Sequence, residues 1–161
     1  MLTAVIRADH DAGSLAATLS MLIPGVIAGS LGDAVVVSSV ASDDVRRIAE
    51  TTGAAHRVHA QGASAWATGA EAARGRWLLL LSAGEIPQGE WLRTLEAHLM
   101  TAPDRAALLP LGGAGGIRER LAVLAGPRRL RSGLLLPTRM AAAGWLDASP
   151  VRLGGSRRGR P

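Results

Sequence analysis

The sequence predicts a single α/β domain in which helices flank a mostly parallel central sheet. Three observations lead there. Short apolar runs of strand length, such as Thr3 to Arg7 and Arg76 to Ser82, alternate with amphipathic segments of helix length. The centres of these runs, Ala4 to Ile6 and Trp77 to Leu81, are apolar without alternation, the pattern of strands covered on both faces. At 161 residues, 48% of them hydrophobic and 19% charged, the chain suits one packed domain.

Taken in order, Thr3 to Arg7 reads as a buried first strand followed by the polar turn Ala8-Asp9-His10-Asp11. Ser14 is the expected N-cap of the next helix, with Leu15, Leu19, Leu22, Val26 and Ile27 on one face. Pro24 should kink that helix or end its first part, and Gly29 and Gly32 close it. Ala34 to Ser38, with three consecutive valines, is a second buried strand. Ser42, followed by Asp43 and Asp44, starts a helix that Gly53 ends. Ala55 to Ala60 is a weaker strand, and Ala65 to Arg74 is a third helix stopped by Gly75. Trp77 and four consecutive leucines give the strongest strand signal.

After Pro87, Glu90 to Met100 is helical with Trp91, Leu92, Leu95 and Leu99 inward. Ala106 to Leu111 is a further strand, Gly112 to Gly116 a flexible loop, and Ile117 to Ala125 a helix. Gly133 to Leu136 reads as extended and Thr138 to Ala143 as a short helix. From Ser149 onward the chain is rich in Pro, Gly and Arg, which predicts fraying. The domain is therefore expected to occupy residues 1–148, with 149–161 a flexible basic tail.

Composition narrows the function classes. Cys, Phe, Tyr, Lys and Asn are absent and all 18 basic residues are Arg, the signature of GC-rich coding and a caution against reading Arg richness as nucleic-acid binding. Without Cys there is no disulfide, no thiolate nucleophile and no Cys-based zinc site. Residues 1–105 carry a net −3 and residues 106–161 a net +8. Such a basic C-terminal third suits phosphates, an anionic lipid surface or a partner protein, or is simply a solvated tail. The first apolar run meets Arg7, Asp9 and Asp11 too soon for a secretion leader, which points to a cytoplasmic location, with peripheral membrane contact open through the basic part.

Ligands of parallel α/β sheets bind beyond the carboxyl ends of the strands. That rule singles out the loops Ala8 to Gly13, Ser38 to Ser42 and Ser82 to Gly89. Gly112 to Gly116 lacks the Gly-Lys-Ser ending of a P-loop, and no Gly-x-Gly-x-x-Gly follows the first strand. Asp9-His10-Asp11 contains metal-ligand types, but adjacent turn residues seldom converge on one ion. His56 and His59 are expected on opposite faces at the surface. Arg128, Arg129 and Arg131 form the densest basic cluster before the tail, suited either to a diphosphate or to solvent.

The order and spacing of these pieces resemble the family 2 glycosyltransferases of the Rossmann-like GT-A fold, in their short bacterial form. Arg7-Ala8-Asp9-His10-Asp11 stands where that family has Pro-Thr-x-Asn-Glu, and Val37 to Asp43 where it has Val-Asp-Asp-Gly-Ser. Glu71 to Leu99 is most similar, from a helix ending Ala-Arg-Gly through Trp77 to Leu81 and on to Pro87 and Trp91. Ser132 to Pro137 and Ala143-Gly144-Trp145 resemble the acceptor-side strand and the turn after it. The resemblance covers residues 3–146 and implies transfer of a sugar from a nucleotide-diphosphate sugar to an acceptor hydroxyl.

It also implies where the site residues should lie. Donor contacts fall on Asp9, His10, Asp11, Ser38, Ser39, Gly62, Ser82 and Arg131. The family's Asp-x-Asp, which holds Mg²⁺ or Mn²⁺ against the pyrophosphate, is replaced by Ser82-Ala83-Gly84. Glu85 is the nearest acid that could ligate metal or act in catalysis, and Asp147 is the only acid near the place of the family's acceptor base. Three readings follow: an active transferase, a non-catalytic member binding nucleotide sugar or serving as a scaffold, and an Arg-rich binder of nucleic acid or anionic membrane.

Overall fold

The computed structural model describes residues 1–9, 11–112, 115–126 and 128–159. Its centre is a seven-stranded sheet made of β1 (Leu2–Arg7), β2 (Leu31–Ser38), β3 (Ala55–Val58), β4 (Trp77–Ser82), β6 (Ala107–Leu108), β7 (Leu134–Pro137) and β8 (Val151–Arg152). Across the sheet the order is β3-β2-β1-β4-β7-β6-β8. β1 pairs in parallel with β2 and β4, and β2 with β3, while β7 runs antiparallel to both β4 and β6. A separate two-stranded ribbon joins β5 (Ile86–Gln88) to β9 (Ser156–Arg158). The described residues also form six helices: α1 (Ala12–Ile27), α2 (Asp43–Thr52), α3 (Ala65–Ala72), α4 (Trp91–Thr101), α5 (Gly115–Ala125) and α6 (Thr138–Ala143). The predicted fold class is the one observed.

Two apolar cores lie on the two faces of the sheet. One gathers Ile6, Leu15, Leu22, Val36, Leu79, Leu81, Trp91 and Leu95, and the other Val5, Val35, Trp66, Leu78, Leu80, Leu134, Leu136 and Met140. Alternate residues of β1, β2 and β4 thus serve opposite cores, which is why the centres of these strands are apolar without alternation. α3 approaches β1 so closely that a Cβ on Gly69 would overlap the Val5 side chain, so this helix position requires glycine.

Several local expectations change. Asp11, not Ser14, caps α1: its carboxylate accepts from the Ser14 amide at 2.9 Å and from the Ser14 hydroxyl at 2.6 Å. α1 continues through Pro24, because the turn beyond it closes with Ala28 N donating to the Pro24 carbonyl at 3.0 Å. Val26 and Ile27 are 57% and 82% exposed, past the end of the apolar face that covers the sheet. β5 lies where a loop was expected, formed around Pro87 because β9 supplies its partner.

The chain also stays in the fold beyond residue 148. β8 pairs in parallel with β6, and β9 seals β5, so residues 151–158 are structural elements instead of a loose tail. The physical reason is one side chain. Arg157 is 2% exposed and anchors β9 in the interior.

Candidate functional site

At the carboxyl end of the sheet, Asp9 Oδ1 accepts from the Ser39 amide at 3.1 Å, tying the turn after β1 to the turn after β2. Asp11 faces the start of α1 as its cap. Both acids therefore hold backbone in place, and His10 lies outside the described residues. Ser38 is buried, with its hydroxyl 2.9 Å from Nε2 of His56, while Ser39 is exposed. Burial, then the positive charges of Arg46 and Arg57, push the His56 imidazole below its ordinary pKa. A surface His56 was expected; on β3 its ring instead reaches across to β2. Gly62 sits in an exposed left-handed turn with open space around its α-carbon. Beside these loops the Arg7 guanidinium lies 5.7 Å from the ring centre of Trp66.

The turn after β4 is where metal and diphosphate chemistry would need its ligands. All four of its amides are already committed. Ser82 N donates to Glu85 Oε2 at 3.0 Å and Ala83 N to the Arg7 carbonyl at 2.8 Å. Gly84 N donates to Thr18 Oγ1 at 2.9 Å and Glu85 N to the Ser82 carbonyl at 2.9 Å. Thr18, wholly buried on α1, returns a bond from its hydroxyl to the Glu85 carbonyl at 3.2 Å. The turn is thus stitched to α1 and β1, with no amide left over to cradle an anion.

Glu85 itself points inward and is 8% exposed. Its Oε1 accepts from the Ser132 hydroxyl at 2.8 Å, and Oε2 lies 3.2 Å from Nε of Arg157, a charge contact without hydrogen-bond alignment. The same guanidinium donates to Glu119 Oε1 at 2.6 Å and to the Ser132 carbonyl at 2.9 Å, and also bonds the Leu109 carbonyl. Glu119 Oε2 accepts from the Leu111 amide at 2.7 Å. Arg157 thus joins β9 to the turn after β4, to α5 and to the approach to β7. Gly133, with φ of +84°, leaves the room it needs, since a Cβ there would overlap the guanidinium.

These contacts bear on whether a metal fits the donor set at this turn. Mg²⁺ or Mn²⁺ needs several oxygen ligands in open geometry. Ser82-Ala83-Gly84 supplies no carboxylate, and both Glu85 oxygens are engaged in the buried network. Among the described residues no group of three or more His, Asp or Glu side chains converges. Among the described residues the donor set at this turn does not fit the metal, and Glu85, the expected ligand or catalytic acid, is held here in a structural network.

The remaining candidates are also held locally. Arg131 donates to the Arg129 carbonyl at 3.2 Å and the Gly126 carbonyl at 2.9 Å, and burial shifts its pKa downward despite the opposing charge of Glu119. Asp147 is exposed and lines a cavity of about 50 Å³ with Asp104, Arg105, Met140 and Ser149, which includes none of the donor-side residues. Sequence reasoning missed Arg157 and Glu119. Nothing distinguishes Arg157 from Arg158 in the chain, and only the pairing of β9 with β5 selects which one turns inward.

No family model and no curated protein sequence matches the chain. Solved structures do. Mannosyl-3-phosphoglycerate synthase from Rubrobacter xylanophilus matches with a TM-score of 0.67 at 15% identity, covering 100% of this chain and 67% of that one. Glucosyl-3-phosphoglycerate synthase from Mycobacterium tuberculosis, crystallised with Mn²⁺, UDP and glucosyl-3-phosphoglycerate, matches at 0.65 and 16% identity, covering 100% and 72%. The fold is that of the GT-A glycosyltransferases. S. aureus TarS 1–349 is similar at a TM-score of 0.62 and 12% identity, covering 99% of this chain and 60% of TarS 1–349. The chain spans from 37% to 72% of the lengths of these and related TarS and glucosyl-3-phosphoglycerate synthase structures. The likeness at these identities is one of fold.

Proposed function

We propose that this chain is a non-catalytic glycosyltransferase-like domain of the family 2 type, keeping a nucleotide-sugar scaffold without the machinery for metal-assisted transfer. The observation that carries this reading is the turn Ser82 to Glu85. It offers no free carboxylate to a cation and no free amide to a diphosphate, since its donors and the Glu85 carboxylate are satisfied within the protein. What the domain retains is the nucleoside side of the fold, the linked loops after β1 and β2 around Asp9, Ser39 and Arg7. Nucleotide held there would be bound without metal and without bond cleavage.

Calorimetric titration of UDP and UDP-glucose, with and without Mn²⁺, tests this directly, together with an assay for UDP release. The expected result is a binding constant that Mn²⁺ leaves unchanged and no UDP released from UDP-glucose. Metal-enhanced binding that disappears in Glu85→Ala, or turnover of the donor, restores an active transferase. An absence of any nucleotide binding removes the nucleotide from the proposal and leaves a scaffold.

A further inference from the structure

α5 carries its apolar residues on the wrong side for a core helix. Glu119 holds its inner face through Arg157 and the Leu111 amide, and Val123 packs against the second core. At about 100° per residue, positions 117, 121 and 124 fall on the opposite side of the helix from Glu119. Ile117, Leu121 and Leu124 are accordingly 64%, 62% and 79% exposed. Trp145 continues this surface: it is 63% exposed and bridges to Arg129, just past the end of α5. A cavity of about 320 Å³ lies beside the stripe, with Leu108, Val123, Leu124 and Pro150 in its wall.

The charges around this apolar surface are mostly cationic, with Glu119 in the cavity wall and Asp147 near Trp145 as the acids. Arg120 and Arg152 line the cavity, and Arg128 and Arg129 are exposed beside Trp145. Of the two acids after residue 105, Glu119 is consumed by Arg157, which leaves Asp147 as the opposing charge in this stretch. An exposed apolar helix face with an aromatic residue and a belt of arginines matches an anionic bilayer, where the apolar groups enter the acyl boundary and the cations meet headgroups. A nucleic acid would meet the arginines but leave Ile117, Leu121 and Leu124 in water. Among the described residues no helix is long and apolar enough to cross a membrane, so the contact is one of surface docking.

We propose that α5, with Trp145 and the arginines around it, docks this protein on an anionic lipid surface. The test is flotation of the full chain with vesicles of phosphatidylcholine alone and of phosphatidylcholine mixed with phosphatidylglycerol. Binding is expected only to the mixed vesicles and should weaken as salt rises. Leu121→Ser with Leu124→Ser should abolish it. Arg120→Gln with Arg128→Gln and Arg129→Gln should weaken it on the order of a hundredfold, from roughly fivefold per arginine.

Trp145 is the most exposed of the tryptophans, so lipid-borne bromine should quench it on binding and leave the quenching small in Trp145→Ala. Both multiple variants alter exposed side chains, and an unchanged unfolding midpoint confirms that they remain folded. Equal binding to neutral vesicles, or full binding by either multiple variant, overturns the proposal. So does self-association without lipid that Leu121→Ser with Leu124→Ser removes, which would make a second copy of this chain the occupant.

Discussion

Replacing Arg157 by Met should cost more stability than the shortness of β9 suggests. The guanidinium is 2% exposed, lies against Glu85 at 3.2 Å and Glu119 at 2.6 Å, and donates to the Ser132 and Leu109 carbonyls. Methionine preserves most of the apolar stem but leaves two inward-facing carboxylates without their cation. Removing one partner of a buried ion pair costs about 3–5 kcal/mol. A cap on that cost exists: β9 and its partner β5 are three residues each, so the ribbon can open locally and let water reach the acids. We therefore expect a loss of about 3 kcal/mol, or roughly 6–12 °C in Tm for a chain of this size.

Urea unfolding followed by tryptophan fluorescence and far-ultraviolet circular dichroism measures the loss. Amide exchange in β5 and β9 reports whether the ribbon has opened. Neutralising the whole network, with Glu85→Gln, Glu119→Gln and Arg157→Met together, should return the protein to within about 2 kcal/mol of wild type, because no uncompensated charge remains. A loss below about 1 kcal/mol in Arg157→Met, with β9 protection unchanged, would refute the reasoning: those acids would then be solvated in solution and Arg157 would not be the anchor of the C-terminal strand.

Three further expectations are independent of it or couple to it in a defined way. Gly133→Ala places a Cβ against the Arg157 guanidinium at a residue with φ of +84°, and should cost about 2 kcal/mol or more by urea unfolding; combined with Arg157→Met the losses should be less than additive. Asp11→Ala removes the cap of α1 and should cost about 1 kcal/mol, read as a lower urea midpoint with an unchanged m-value. His56 has a folded pKa below its unfolded value, so the folded state resists protonation. Its contribution is present above the unfolded value near 6.5 and is lost as pH falls toward the folded value. Urea midpoints at about pH 7.5 and 5.5 should therefore converge in His56→Asn relative to wild type, and an unchanged pH dependence would exclude His56 as its source.

The parallel sheet was legible because its strands are buried on both faces, and such strands cannot hide in a sequence: Val35 to Val37 and Leu78 to Leu81 have no polar alternation to blur them. The helix boundaries set by Ser42 and Gly53 were equally readable, since caps act within a few residues. Ser14 and Asp11 are both good cap types within three residues of each other, and local chemistry alone did not choose between them. At the site, the loss of acids in Ser82-Ala83-Gly84 was visible, but the fate of Glu85 was not.

By itself, then, the sequence determined the α/β architecture, the main strands and the absence of the acidic triplet, because period and composition are local properties. Only the tertiary structure decided that Arg157 turns inward, that Glu85 and Glu119 are its partners, and that Ile117, Leu121 and Leu124 face outward. Those outcomes depend on contacts between residues as far apart as Glu85 and Arg157. A buried charge is stable only where opposite charges and hydrogen-bond acceptors converge on it from separate elements, and that convergence exists only once the chain has folded.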